Sequence, residues 1–335
     1  MKRLNFFDKI VFLLNSIVAT SLLLSYILPY LPPERFSVLA ILSLMVPLLL
    51  LCNLFFLTYW ILNLKRQWIL SLAVLAIGYS HIKSCFNFNT NAPTTEKGIK
   101  IMSFNVHLLN LYNWIETEDV PEKFHSFIQT NAPDILCVQE YKSGIAKALN
   151  YPYVYGPNNK SKSELVIFSN FKFTNTGVIN FPNSANRSIF VDVKIKTDTL
   201  RFYNLHLQST GINATADSFG AQTSDLMFNR LSSAFKTQQL QAELLASHMQ
   251  TSPYKIVLCG DFNNNAHSYV YRLLKADLTD AFEVAGKGFG STYFFNYFPL
   301  RIDFILTDPS LKILNYIKHQ VKYSDHYAIS STLKL

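Results

Sequence analysis

The spacing of apolar positions divides the chain into two unlike parts. Residues 1–82 hold three stretches without a single Asp, Glu, Lys or Arg: Ile10–Leu28, Phe36–Leu64 and Gln67–Ile82. A helix needs about 20 apolar residues to cross a hydrocarbon layer about 30 Å thick. The first stretch has that length. The second exceeds it, with Pro47 as a point of kinking that neighbouring helices accommodate. The third spans if its flanking side chains snorkel and otherwise lies as a buried or interfacial helix. We take all three as spans, so residues 1–82 are expected to form a membrane anchor of three transmembrane helices.

Beyond Ile82 the pattern changes. Residues 83–98, KSCFNFNTNAPTTEKG, are polar with Pro and Gly and read as a linker. Short β-type runs follow: IKIMSF from Ile99, DILCVQ from Asp134, ELVIFS from Glu164, SIFVDVKI from Ser188, LRFYNL from Leu200, KIVLCG from Lys255, DFILT from Asp303 and YAISSTL from Tyr327. Helical spacing recurs around Pro121–Thr130 and over Leu226–Met249, where Leu231, Phe235, Leu240, Leu244 and Leu245 share a face. VKIKTDTLRFYN predicts a hairpin turning at Thr197–Thr199. Many strands with few, separated helices predict an α/β sandwich over residues 99–335, its sheets packed together and its helices outside.

Charge sharpens the division. The whole chain is only 16% charged, against about 25% in ordinary soluble chains. Residues 1–82 carry 6 Lys/Arg and 2 Asp/Glu, and residues 83–335 the other 24 and 20. The first apolar stretch has the basic start of a signal peptide but ends in ILPYLPP, with no small-x-small cleavage site. Lys2, Arg3 and Lys9 before the first stretch, with Lys65 and Arg66 before the third, mark cytoplasmic loops. Three spans then put the C-terminal domain on the non-cytoplasmic side; two would put it in the cytoplasm. Cys137 and Cys259 lie inside apolar runs and read as buried thiols, and no Cys/His spacing points to zinc.

Polar residues recur where those runs meet solvent. Asn105 follows IKIMSF, Glu140 follows DILCVQ, His206 ends LRFYNL, and Asp261 with Asn263 ends KIVLCG; Asp303 precedes FILT and Asp325–His326 precede YAISSTL. In a mixed sheet, C-terminal ends of some strands and N-terminal ends of others share an edge, so one cleft would collect them all. Taken singly, each motif is weak: a Glu after a strand is usually a surface residue, and GDFN is usually a plain turn. Four carboxylates on one edge repel by about 4 kcal/mol per pair at 4 Å and an effective dielectric near 20. A cation, a proton or a partnered His must offset that. Carboxylate and amide oxygens favour hard Mg²⁺ or Mn²⁺ over zinc.

In this order NV, QE, HLQS, GDFN, RID and SDH resemble the endonuclease/exonuclease/phosphatase (DNase I-like) superfamily, over about residues 99–335. The resemblance implies a four-layer sandwich of two β-sheets flanked by helices and Mg²⁺-dependent cleavage of a phosphoester. It implies Glu140 as principal metal ligand, helped by Asn105 and Asp325. Asp261 would orient or deprotonate the attacking water, Asn263 would hold the phosphate, and His206 would contact a phosphate oxygen or assist the leaving group. His326, paired with Asp303, would stabilise the transition state. His107 stands where some nucleases of the superfamily have Asp, which bears on a second metal. A calcineurin-like phosphoesterase is excluded, because GDFNNNAH lacks the second Asp and the Gly-Asn-His of that group.

The domain's mild net charge argues against a strong nucleic-acid face. Lys160, Lys162, Lys172, Arg187 and Arg230 read as solvated surface, with Arg187 a second candidate as phosphate clamp. The aromatic STYFFNYFPL before Asp303 reads as core packing or as a substrate- or membrane-facing loop. The expected partners are therefore a phosphate-ester substrate (a lipid headgroup or, alternatively, nucleic acid) and the lipid bilayer, with no sign of an obligate protein partner. An inactive binding scaffold is the remaining alternative.

Overall fold

The computed structural model describes residues 4–89, 96–145, 148–156, 164–211, 224–295 and 298–335. All eight apolar runs become strands, since a chain buried on both faces satisfies its backbone groups best in a sheet. Among the described residues they sit in two six-stranded sheets. The first runs Lys312–His319, Ala328–Lys334, Ile99–Asn105, Ile135–Tyr141, Glu164–Ser169, Tyr153–Tyr155; the second runs Thr279–Asp280, Asp303–Thr307, Lys255–Asp261, Asp198–His206, Arg187–Ile195, Phe173–Asn180. Ile99–Asn105 pairs in parallel with Ile135–Tyr141, and Asp198–His206 with Lys255–Asp261. The other ladders are antiparallel. The expected hairpin turns one residue early, with Ile195 opposite Asp198 and Lys196 at φ 57°.

The sheets pack face to face on Ile101, Ile135, Cys137 and Ile167 from one side and Ile189, Val191, Phe202, Val257 and Cys259 from the other. Helix Val120–Asn131 covers the first sheet's outer face through Phe124 and Ile128. Helices Ser224–Gln250 and Tyr269–Lys275 cover the second through Leu245 and Leu274. The result is the four-layer sandwich expected from sequence. A buried polar tie joins the sheets: Gln139 Nε2 donates to Asn204 Oδ1 at 2.7 Å, and Asn204 Nδ2 donates to the carbonyls of Val138 and Val166.

Residues 1–82 give two helical segments, Phe6–Tyr30 and Pro33–Leu62, long and apolar enough to cross a membrane. The third expected stretch is not one straight helix. Trp68–Ile77 and Tyr79–Cys85 meet at Gly78 with a bend of 74°. Only glycine fits at the bend: a Cβ on Gly78 would lie 1.9 Å from the Tyr26 hydroxyl oxygen, which donates to the Val74 carbonyl at 3.0 Å. Asp8 and Lys65 pair at 3.4 Å, so the first helix begins where the second ends. Pro33–Leu42 and its continuation lie along Ser224–Gln250, with Ala40, Ile41 and Leu44 against Leu231, Ala234 and Phe235.

The expected linker also begins as structure. Phe86–Phe88 is a strand paired antiparallel with Lys287–Phe289, and buried Asn87 donates to the carbonyls of Phe282 and Glu283. That pairing satisfies polar groups a free tether would leave to water. Residues 90–95 lie outside the described set.

Candidate active site

Register alone assembles half of the site. On adjacent strands of the second sheet, Arg187 lies opposite His206, His206 opposite Asp261, and Asp261 opposite Asp303. The first sheet brings Asn105 opposite Gln139, next to Glu140. Glu140 sits where the register with Glu164–Ser169 shifts between Val138 and Tyr141, at φ 50°. Such an irregularity re-aims a side chain and places a non-glycine residue in the costly left-handed region. Gly260, just before Asp261, has φ 142°, and a Cβ there would lie 2.0 Å from the Leu205 carbonyl oxygen. Only glycine lets the two strands come this close.

The side chains converge between the sheets' edges. Asn105 Nδ2 donates to Asp261 Oδ2 at 3.0 Å and to Glu140 Oε1 at 3.3 Å. His206 Nε2 stands 3.6 Å from Glu140 Oε1 and 3.7 Å from Asp261 Oδ2. His326 Nδ1 bonds Asp303 Oδ2 at 2.9 Å and turns Nε2 toward Asp261 Oδ2, 3.8 Å away. Asp325 pairs with His107 Nδ1 at 3.1 Å, and the His107 backbone N–H donates to Asn105 Oδ1. The Asn263 backbone N–H donates to Asp261 Oδ1 at 2.7 Å.

Electrostatics separates the roles. Burial pushes the Asp261 carboxyl up to about 6, with Asp303 adding to it against the opposing pull of His326 and His206. For His326 burial works the other way, yet Asp303, Asp261 and Asp325 together hold the imidazolium well above its ordinary range. Asp325 is half-buried, which raises it, but the bond from His107 and the charge of His326 draw it down to about 2. The cleft thus holds a carboxyl that titrates near neutrality beside a stable cation, the pairing that general base and charge stabiliser require.

All eight residues singled out from sequence enter this neighbourhood, although three do so differently from expectation. Asn105 turns its NH₂, not its oxygen, to the carboxylates. Asn263 spends one amide N–H on the Leu207 carbonyl at 3.0 Å. Asp325 is engaged by His107, the residue that stands where some nucleases of the superfamily have Asp. Two aromatic neighbours escaped the sequence reading. Tyr293 packs its ring 4.8 Å from that of His326 and feels Asp325, Asp261 and Glu140; it lies in the aromatic stretch that reads as core packing or as a substrate- or membrane-facing loop. Trp114 stacks on His107 at 4.0 Å, nearly parallel, and stays 40% exposed. No signal marked it. Lys160 and Lys162 lie outside the described residues.

The donor set fits a divalent cation. His206 Nε2 is buried without a hydrogen-bond partner, facing two carboxylates too distant to bond it. Oxygen atoms of Asp261 and Asp303 and a His326 nitrogen fall within 4.8 Å of one another, but the Asp303–His326 bond already accounts for that group. Glu140, with its carboxylate a quarter exposed, is the better placed ligand, since hard cations prefer accessible carboxylate oxygens.

A two-sheet sandwich with an acidic, histidine-lined cleft at the edge shared by both sheets defines a phosphate-ester hydrolase. The chain belongs to the Endonuclease/Exonuclease/phosphatase family, whose model matches residues 102–326; the family's enzymes are divalent-metal-dependent. A second model, Domain of unknown function (DUF8431), matches residues 8–85. No curated protein matches the chain. Among solved structures, D. rerio TDP2 complexed with single strand DNA product is similar at 17% identity and TM-score 0.55, over 72% of this chain and 100% of that one. The human Nocturnin catalytic domain with bound sulfate anion is similar at 16% identity and TM-score 0.53, over 71% and 93%. A family protein from Bacteroides thetaiotaomicron is similar at 16% identity and TM-score 0.53, over 71% and 95%. At these identities the likeness speaks for the fold.

Proposed function

We propose that the chain is a membrane-anchored, Mg²⁺-dependent phosphoesterase that hydrolyses a phosphate ester, a lipid headgroup at the bilayer surface, by attack of water. The observation that carries the reading is the row Asp303–His326–Asp261, at 2.9 and 3.8 Å, beside an unpartnered His206 Nε2. Glu140 and Asp325, with the Asn105 amide turned over, would hold the ion. When bound, such an ion polarises a phosphoryl oxygen. Asp261 takes the proton of the attacking water as its oxygen bonds to phosphorus. His326, fixed by Asp303, faces the charge that grows on the phosphoryl oxygens. His206 Nε2 contacts a phosphate oxygen or the departing alkoxide, and the remaining Asn263 N–H and Arg187 line the phosphate's approach. The products are a phosphate or phosphomonoester and an alcohol.

Two candidate spans support anchoring. The shared end of Asp8 and Lys65 supports the reading in which the N-terminus and the basic loop face the cytoplasm and the catalytic domain lies on the other side. A second reading, a metal-dependent nuclease, is favoured by the exposed Trp114 face beside the site and by the DNA product held by the similar TDP2 structure. Incubating the full chain and Glu140→Ala with Mg²⁺ and phospholipid vesicles, plasmid DNA, RNA or inositol phosphates decides between them. Turnover of vesicles alone supports the first reading and turnover of DNA alone the second. A folded wild type that cleaves none of them, nor bis-p-nitrophenyl phosphate, would revive the inactive scaffold.

A further inference from the structure

The loop that leaves the site does not end in solvent. Asp261 and Asn263 lie in the cleft, and four residues beyond Asp261 the same loop is pinned to the helical region. Asn265, 3% exposed, donates from Nδ2 to the Ser43 carbonyl at 2.9 Å and accepts the His267 backbone N–H on Oδ1 at 2.9 Å. The His267 ring, 1% exposed, is held from both sides. One nitrogen meets His81 Nδ1 at 3.1 Å and the other meets the Cys85 thiol sulfur at 3.1 Å. Burial drives the His267 imidazole well below its ordinary titration range, so it is neutral and carries one ring proton. It donates through one nitrogen and accepts through the other.

The elements flanking the loop are tied in the same way. Arg272, on the helix that follows, donates from Nε to the Pro29 carbonyl at 2.7 Å and lies over the Tyr30 ring. Gln238 donates to the carbonyls of Asn263 and Gln208 and accepts from Asn264 Nδ2; its neighbour Gln239 accepts the Glu34 backbone N–H at 2.8 Å. An anchor whose only task is to hold a domain near a membrane needs none of these buried bonds. Breaking one leaves a desolvated donor or acceptor, so a shift of the helices disturbs the loop.

We propose that Asn265 and His267 are positioning residues through which the helical region holds the loop bearing Asp261 and Asn263 in its reactive geometry. The inference rests on the phosphoesterase reading for its kinetic readout and on the fold alone for its structural one. The test uses the full chain in nanodiscs, with Asn265→Ala on the loop side and His81→Ala on the helix side. Each variant is expected to lower kcat on bis-p-nitrophenyl phosphate with Mg²⁺ about tenfold, the scale of a displaced catalytic group, with KM within about twofold of wild type. Amide exchange over Phe262–Ser268 is expected to quicken about tenfold while Lys255–Cys259 stays protected.

Wild-type kcat, or wild-type exchange over Phe262–Ser268, in both variants overturns the proposal. A KM change that accounts for the whole loss does so too. If Asn265→Ala does not fold, His81→Ala carries the test. A wild type inactive on every substrate would sink the phosphoesterase reading, and the exchange comparison would still judge the coupling.

Discussion

Two buried clusters, each setting carboxylates against cationic side chains, lie two residues apart on one strand approach. Arg301 turns to Asp280, and Asp303 turns to His326. In the first cluster the carboxylate's contacts close, while Arg301 Nε and Nη2 lie against the rings of Phe282 and Phe304 without a hydrogen-bond partner. Asp280 accepts from Arg301 Nη1 at 2.7 Å, from the Tyr271 hydroxyl at 2.6 Å and from the Phe282 backbone N–H at 2.8 Å. In the second, Asp261 is equally buried, yet both nearby imidazoles stop at 3.7 and 3.8 Å. The consequence is an opposite shift of the two carboxyls. Burial raises both carboxyls, but Arg301 brings Asp280 below its ordinary range, while Asp261 is left at about 6. Burial does not by itself make a site. What marks this one is a buried carboxyl whose cationic partners stay out of bonding range, leaving room for a substrate or ion between them.

The strongest way to break this comparison is Glu140→Ala. The carboxylate's nearest partner is the Asn105 amide at 3.3 Å, so the fold loses little and the like charge in the cleft falls. Turnover of bis-p-nitrophenyl phosphate with Mg²⁺ is expected to drop by about 10⁴-fold or more, the scale for removing one member of a group that acts as a unit. Thermal unfolding should stay at the wild-type midpoint, and addition of EDTA to wild type should reproduce the loss. Activity surviving in Glu140→Ala would move the metal to another residue.

Arg301→Met is the matching change in the closed cluster. It leaves Asp280 buried without its cation, a loss of about 3–5 kcal/mol, read as a lower urea midpoint. The sign with pH follows from Asp280's depressed pKa. In wild type the pair's stabilisation is complete above the unfolded carboxylate value of about 4 and is lost as pH falls through the lower folded value. Arg301→Met should therefore flatten the acid limb of the stability profile. An unchanged limb would mean that the pair is stabilised by its packing on Phe282 and Phe304 and not by its charge. Somewhat smaller is His326→Ala, expected to lower kcat about 10²-fold with the fold intact; an unaltered rate would take His326 out of the mechanism.

The sequence made the open cluster more legible than its surroundings. Asn105, Glu140, His206, Asp261 and Asp303 stand at the ends of apolar runs, where alternation stops and a polar residue needs a reason. Register then brings them together without help from loops. The edge strands Phe173–Asn180 and Lys312–His319 were not legible, since a half-exposed strand alternates Thr, Asn and Lys with its apolar residues and loses the contrast that marks a core strand. The bend at Gly78 depends on Tyr26, and the Phe86–Phe88 strand depends on Lys287–Phe289. Both are long-range contacts that no local pattern encodes. The ties from Asn265 and His267 were hidden for the same reason: NNNAH reads as a polar turn until Ser43, His81 and Cys85 are set against it.

Tyr293 gives the smallest and sharpest test of what separates an open cluster from a closed one. Its ring packs on His326, while burial, with the charges of Asp325, Asp261 and Glu140 adding to it, holds the phenol protonated. The ring and the hydroxyl therefore have separable tasks. Tyr293→Phe keeps the packing surface and removes only the O–H, so turnover should fall by no more than about fivefold, the value of one hydrogen bond of about 1 kcal/mol. Tyr293→Ala removes the surface that orients the imidazole and should cost more, approaching the His326→Ala rate. Both are measured as kcat on bis-p-nitrophenyl phosphate. Equal losses in the two variants would assign Tyr293's contribution to its hydroxyl, and His326 would then owe its orientation to Asp303 alone.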